Sequence, residues 1–123
     1  MKITIAGKEQ ELNFGFGFIH AANKAWNTLQ NGLIVHLGIV NTNLAMQTGD
    51  IEKLVDVMYF ATCENSPRVA KTDIEKYIEG LSIEKLENLF SEMQKELDAS
   101  VPVKFAVNKM NEAAKKEMKK NKK

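Results

Sequence analysis

Between Lys24 and Asp50 the chain runs for 25 residues without a formal charge. In a soluble protein such a stretch has to be enclosed by the rest of the fold, by another copy of the chain, or by a partner. Read at 100° per residue, it predicts a helix from about Leu33 to Gln47, ended by Thr48-Gly49. Leu33, Leu37, Val40 and Leu44 then form one apolar face, and Val35, Ile39 and Met46 form a second, roughly 200–240° away. His36, Asn41, Asn43 and Gln47 fill the flanks, which speaks against membrane insertion. A helix apolar on two sides must be covered on two sides. Either it is a central core helix, or one face packs internally and the other meets a neighbouring subunit.

The segments on either side read as ordinary elements of a small domain. Residues 1–14 predict a β-hairpin, because Met1, Ile3 and Ile5 alternate with polar neighbours, as do Gln10, Leu12 and Phe14. A turn at Gly7-Lys8 would face Ile5 with Gln10 and Ile3 with Leu12. A first helix is expected from about Ile19 to Gln30, with Asn31-Gly32 as its stop. A third helix starts at the N-cap Asp50, its apolar stripe being Ile51, Leu54, Val55, Met58 and Thr62, and it ends before Ser66-Pro67. Thr72-Asp73-Ile74-Glu75 suggests a capping box for a short helix closed by Gly80. Ser82 caps another, about Ile83 to Leu97, with Leu86, Leu89, Phe90, Met93 and Leu97 on one stripe. The fold class is thus mainly α with an N-terminal hairpin (α+β), about five helices over residues 1–98. A weak C-terminal helix near Pro102 and a Lys-rich tail occupy 99–123.

Charge is divided unevenly. Residues 115–123 carry six Lys and one Glu, and residues 1–114 carry 11 basic and 15 acidic groups, so a +5 tail follows a −4 body. A body surface that grips a nucleic-acid backbone is disfavoured, although the tail alone could do so. The other reading of the tail is a solvated, fraying end. The single Cys63 excludes an intramolecular disulfide framework and a Cys-rich zinc site. With no basic-then-apolar leader and no long apolar run, a cytoplasmic location is expected.

Chemical motifs are sparse. Gly15-Phe16-Gly17 follows a strand and precedes a helix, but the third glycine of a dinucleotide-binding turn would fall at His20. His20 and His36 lack a short metal-ligand spacing, and Cys63 reads as a small buried hydrophobe. No enzyme, cofactor or metal site is expected. Phe14 and Phe18 should face the core, while Phe16 either joins them in a hinge or points outward as a partner anchor. Trp26 is ambiguous in the same way, and Phe60 joins the candidate contact residues with Phe16, Trp26, Val35, Ile39 and Met46.

The order of these features resembles the tail assembly chaperones of long-tailed phages and prophages. The opening ITIAGKEQELNFGFGFIHAANK, residues 3–24, is similar to that family's hairpin, Phe-Gly-Phe-Gly-Phe segment and following helix. GLIVHLGIVNTNLAMQTGD, residues 32–50, resembles its uncharged helix closing on Thr-Gly-Asp, and IEKLVDVMYFAT its next amphipathic helix, with a joint at Ser66-Pro67. The resemblance spans about residues 1–98. It implies a non-enzymatic protein that coats the tape-measure protein, helps recruit subunits of the major tail tube protein, forms homo-oligomers and is absent from the finished virion. It also implies a short form made upstream of a ribosomal frameshift. The competing reading is a small nucleic-acid-binding regulator that uses the basic tail.

Overall fold

A computed structural model describes residues 1–120. The first strands, β1 (Lys2–Ile5) and β2 (Lys8–Glu11), pair antiparallel with Ile3 opposite Gln10 and Ile5 opposite Lys8. The turn is therefore Ala6-Gly7, with φ of 52° and 74°, and not the expected Gly7-Lys8. Parity survives this shift, so Ile3, Ile5, Gln10 and Leu12 still share the inner face. Two positive φ values in succession give the twist that matches paired strands.

Register is set by a buried polar side chain. Gln10 is wholly buried, its Nε2 donating to the Pro67 carbonyl at 2.8 Å and its Oε1 accepting from Asn65 Nδ2 at 3.0 Å. Asn65 Nδ2 also donates to the Glu11 carbonyl at 3.0 Å, so the loop after the third helix is stitched to β2. Burying an amide is tolerable only with such partners.

Helix α1 (Phe16–Ala25) follows at once, shorter than the expected Ile19–Gln30 at its C-terminal end and longer at its N-terminal end. Its stop is local: Asn27 Nδ2 donates to the carbonyls of Asn23 and Lys24 at 3.2 and 3.1 Å. The chain then forms a second hairpin, β3 (Asn27–Gln30) and β4 (Leu33–His36), where helix had been expected on both sides of Asn31-Gly32. Helix α2 is accordingly only Gly38–Thr48, ending on Gly49 in the left-handed region.

The remaining helices are α3 (Ile51–Ala61), α4 (Lys71–Glu79), α5 (Ile83–Ala99) and α6 (Val101–Lys120). Asp50 Oδ1 accepts from Lys53 N at 3.1 Å and Ser82 Oγ from Lys85 N at 3.2 Å, as their N-cap roles require. The α4 cap sits two residues earlier than expected. Asp73 Oδ2 accepts from Ala70 N at 3.1 Å, so the carboxylate reaching back belongs to Asp73 and not Glu75. Helix α6 continues through Lys120 where dissolution into the lysines had been expected; the end of the tail, 121–123, lies outside the described residues.

Helix α3 is the centre of the core. Leu54, Val57 and Met58 are fully buried, and α1, α2 and α4 pack around it. Phe14 and Phe18 meet edge to face at 5.1 Å, Phe18 lies 6.5 Å from Phe60, and Trp26 meets Phe60 edge to face at 5.2 Å. At the C-terminus of α3, Arg68 lies 3.7 Å over the Tyr59 ring and donates from Nη2 to the Tyr59 carbonyl at 2.8 Å. The same carbonyl accepts from Thr62 N at 3.1 Å and Thr62 Oγ1 at 2.7 Å, so the cation adds a third donor there and offsets the helix dipole. Ser100 Oγ donates to the Phe14 carbonyl at 2.7 Å, joining the α5–α6 corner to the end of the first hairpin.

Replacing Gln10 by Ala removes the donor to the Pro67 carbonyl and one of the two acceptors of Asn65 Nδ2, which keeps the Glu11 carbonyl. The variant is expected to lose about 2 kcal/mol in urea unfolding, with an unchanged slope and helical circular dichroism; a loss below about 0.5 kcal/mol would show that the amide does not set this register.

Candidate interaction surface

The uncharged stretch folds into two different objects: an arm and a helix. The arm is the β3–β4 hairpin, turned by Asn31 (φ 53°) and Gly32 (φ 78°). Leu29 pairs with Ile34, Gln30 with Leu33, and Thr28 with Val35, so apolar side chains occur on both faces of the ribbon. Leu29, Leu33 and Ile34 are 70, 71 and 65 % exposed. The two strands form a sheet of their own, so each has one edge without a strand partner.

The arm's neck is held firmly. Leu37 N donates to the Trp26 carbonyl at 2.9 Å, and Gly38 N donates to Asn23 Oδ1 at 2.9 Å. A Cβ on Gly38 would lie 2.8 Å from backbone atoms of both Ala22 and Asn23. Only glycine lets α2 begin this close to α1. Along the inner side of α2 the small residues continue with buried Thr42 and Ala45; Thr42 Oγ1 is satisfied by the Gly38 carbonyl at 2.7 Å. The outer side shows Val40 and Leu44, 39 and 52 % exposed and one turn apart.

The residues expected from sequence to contact partners do not form one patch. Val35 lies on β4, half-buried, so it cannot share a helix face with Ile39 and Met46. Ile39 and Met46 are half-buried against the core, because the close α1–α2 contact turns their side of α2 inward. The outward face of α2 is the other one, Val40 and Leu44. Trp26 and Phe60 are brought together, but Phe60 is buried and Trp26 half-buried above it. Phe16 is 64 % exposed at the start of α1, beside His20 at 6.0 Å. About 15 Å of helix separates it from the arm's neck.

Leu29 and Ile34, the exposed cross-strand pair of the β3–β4 ribbon, went unnoticed in the sequence. Asn31-Gly32 between Thr-Leu-Gln and Leu-Ile-Val was the available signal, since Asn-Gly flanked by strand formers is a hairpin turn more often than a helix stop.

Among the described residues no group of His, Cys, Asp and Glu is placed to hold a metal ion, and no helix is long and apolar enough to cross a membrane. His20 and His36 are exposed, and Cys63 is half-buried near Gly17. The geometry offers surfaces for binding.

Gly38→Ala forces α1 and α2 apart at the neck. It is expected to cost about 1–3 kcal/mol of stability, and amide exchange at Leu37 and Gly38 should accelerate more than exchange in α5. Wild-type exchange at both amides would contradict the tight crossing.

The family model described as phage tail assembly chaperone protein, TAC, matches residues 2–112, which includes the arm and all of α1 to α5. No curated protein and no solved structure matches the chain.

Proposed function

Because the chain belongs to the phage tail assembly chaperone family, we propose that it binds and solubilises the tape-measure protein and helps recruit tail-tube subunits around it. The observation that carries this reading is the arm: a projecting ribbon, apolar on both faces, free of charge and open at both edges. A chaperone for a long helical client needs contacts that tolerate imprecise fits along its length. Leu29, Leu33 and Ile34 supply apolar area with no fixed polar partner, and removing about 100 Å² of it from water is worth roughly 2.5 kcal/mol. Val40 and Leu44 add a second apolar strip on α2, and Phe16 a separate aromatic one. Work of this kind is binding and not catalysis. It takes place in the host cytoplasm and ends before the virion is complete.

Co-expression with the tape-measure protein tests the reading. The wild-type chain should keep the client soluble and co-purify with it. The triple variant Leu29→Ser, Leu33→Ser, Ile34→Ser alters exposed positions only, so it should fold with wild-type helical content. Client retention should nevertheless fall at least about tenfold, equivalent to about 1.4 kcal/mol. Undiminished solubilisation by the variant would remove the arm from the mechanism; failure of the wild-type chain to solubilise the client would remove the function itself.

A further inference from the structure

The first hairpin, like the arm, is a sheet of two strands, and its two outer edges differ. Leu12 N donates to the Met1 carbonyl at 2.8 Å, so Met1 and Leu12 face each other as a hydrogen-bonded pair. Alternation makes Ile3–Gln10 and Ile5–Lys8 the other such pairs, and turns the N–H and C=O of Lys2 and Thr4 outward. On β2 the outward carbonyls are taken. Glu9 accepts from Gln10 Nε2 at 3.3 Å and Glu11 from Asn65 Nδ2 at 3.0 Å. Among the described residues, the outward groups of Lys2 and Thr4 have no hydrogen-bond partner.

That open edge lies along a groove of about 440 Å³ whose far wall is the first half of α5. Leu89, 5 % exposed, and half-buried Leu81 give the groove an apolar floor, and the exposed Lys85 and Glu92 stand two turns apart on its rim. Met1 shares a separate cleft with Glu96, Ala99 and Ser100 at the C-terminal end of α5, so β1 runs antiparallel to that helix. Thr4 is therefore on the Lys85 side and Lys2 on the Glu92 side. Lys2 Nζ is 3.5 Å from Glu9, whereas Lys85 and Glu92 have no ion-pair partner among the described residues.

We propose that the β1 edge is a strand-addition site for an extended segment of another protein. The segment pairs antiparallel to β1 and carries a carboxylate, an apolar side chain and a cation at positions i, i+2 and i+4. Main-chain bonds to Lys2 and Thr4 hold it, and these alternate side chains fall opposite Ile5, Ile3 and Met1, on the α5 side. The carboxylate then meets Lys85, the apolar side chain covers Leu81 and Leu89, and the cation meets Glu92. Seven helical residues span about 10 Å and four strand residues about 13 Å, so the two charge spacings agree within the reach of flexible side chains. A second copy does not fit: its open edges, on β1 and the arm, contain no carboxylate for Lys85, and the outward carbonyls of β2 are taken. The site is distinct from the arm and goes beyond the chaperone reading without resting on it.

The probe is the peptide acetyl-Thr-Glu-Thr-Ile-Thr-Lys-Thr-amide, titrated into the full chain and followed by nuclear magnetic resonance. The Lys2 and Thr4 amides should shift and gain protection from exchange, while the amides of the arm stay unmoved. Methylating the backbone nitrogens of the two threonines that flank Ile removes the donors facing β1, and affinity should fall at least about tenfold. Thr4→Pro deletes an outward N–H that the hairpin itself does not use, so it should keep wild-type circular dichroism and bind the parent peptide about fivefold more weakly. Exchanging Glu and Lys in the peptide should weaken binding about threefold, and the double variant Lys85→Glu, Glu92→Lys should prefer the exchanged peptide by a similar factor. The arm variant should bind the parent peptide as the wild type does, which separates this site from client binding. The proposal is overturned if the N-methylated peptide binds as tightly as its parent, if the arm variant loses the peptide, or if the parent leaves the Lys2 and Thr4 amides unmoved at about 1 mM. It is equally overturned if those amides gain protection with protein concentration alone, which would give the edge to a second copy.

Discussion

The crossing of α1 and α2 at Gly38 is the contact on which the rest of the arrangement depends. With no side chain at that point, the backbone of one helix start can rest on Ala22 and Asn23 at the end of the other. The Asn23 and Trp26 acceptors then receive the amides of Gly38 and Leu37, and the ten residues from Asn27 to His36 are forced outward as a closed excursion. A two-stranded ribbon is marginal by itself in water. Here its ends are fixed by the body, so much of the entropy of closing it is already spent at the neck.

The same contact determines which way α2 faces. Gly38, Thr42 and Ala45 lie against the neighbouring helices because they are small, Ile39 and Met46 fill the adjoining flank, and Val40 and Leu44 are left outside. Hydrophobicity alone would have placed the large residues inward. Close approach of backbones overrides that preference, and the result is an exterior more apolar than the composition of the whole chain suggests.

How much of this was legible in the sequence varied by element. Helices α3 and α5 were readable to within a few residues, because each has a continuous stripe opposite charged positions and a side-chain N-cap, Asp50 and Ser82. In the first hairpin, alternation correctly indicated the inner face. Its register was hidden, since that depends on Asn65 and Pro67, more than fifty residues away in the chain. The segment 25–37 misled for a different reason: without charges to mark a solvent face, helical and strand periods fit its apolar residues about equally well. Only the turn chemistry of Asn31-Gly32 separates them, and that pair also serves as a helix stop. The candidate contacts inherited this error. Val35, Ile39 and Met46 share a face only if residues 33–47 form one helix, whereas the exposed Leu29 and Ile34 come together only through a strand pairing.

Open ribbon edges have a cost that side chains do not reveal. Soluble proteins shield such edges with lysine, proline, bulges or a covering element, and between Asn27 and His36 there is neither a charge nor a proline. Each uncovered copy thus offers a template on which another extended segment can lay down hydrogen bonds. Dosage becomes a structural matter for a chain built this way: its supply relative to whatever sheathes the ribbon sets how long bare edges persist, and overproduction by itself invites cross-β stacking.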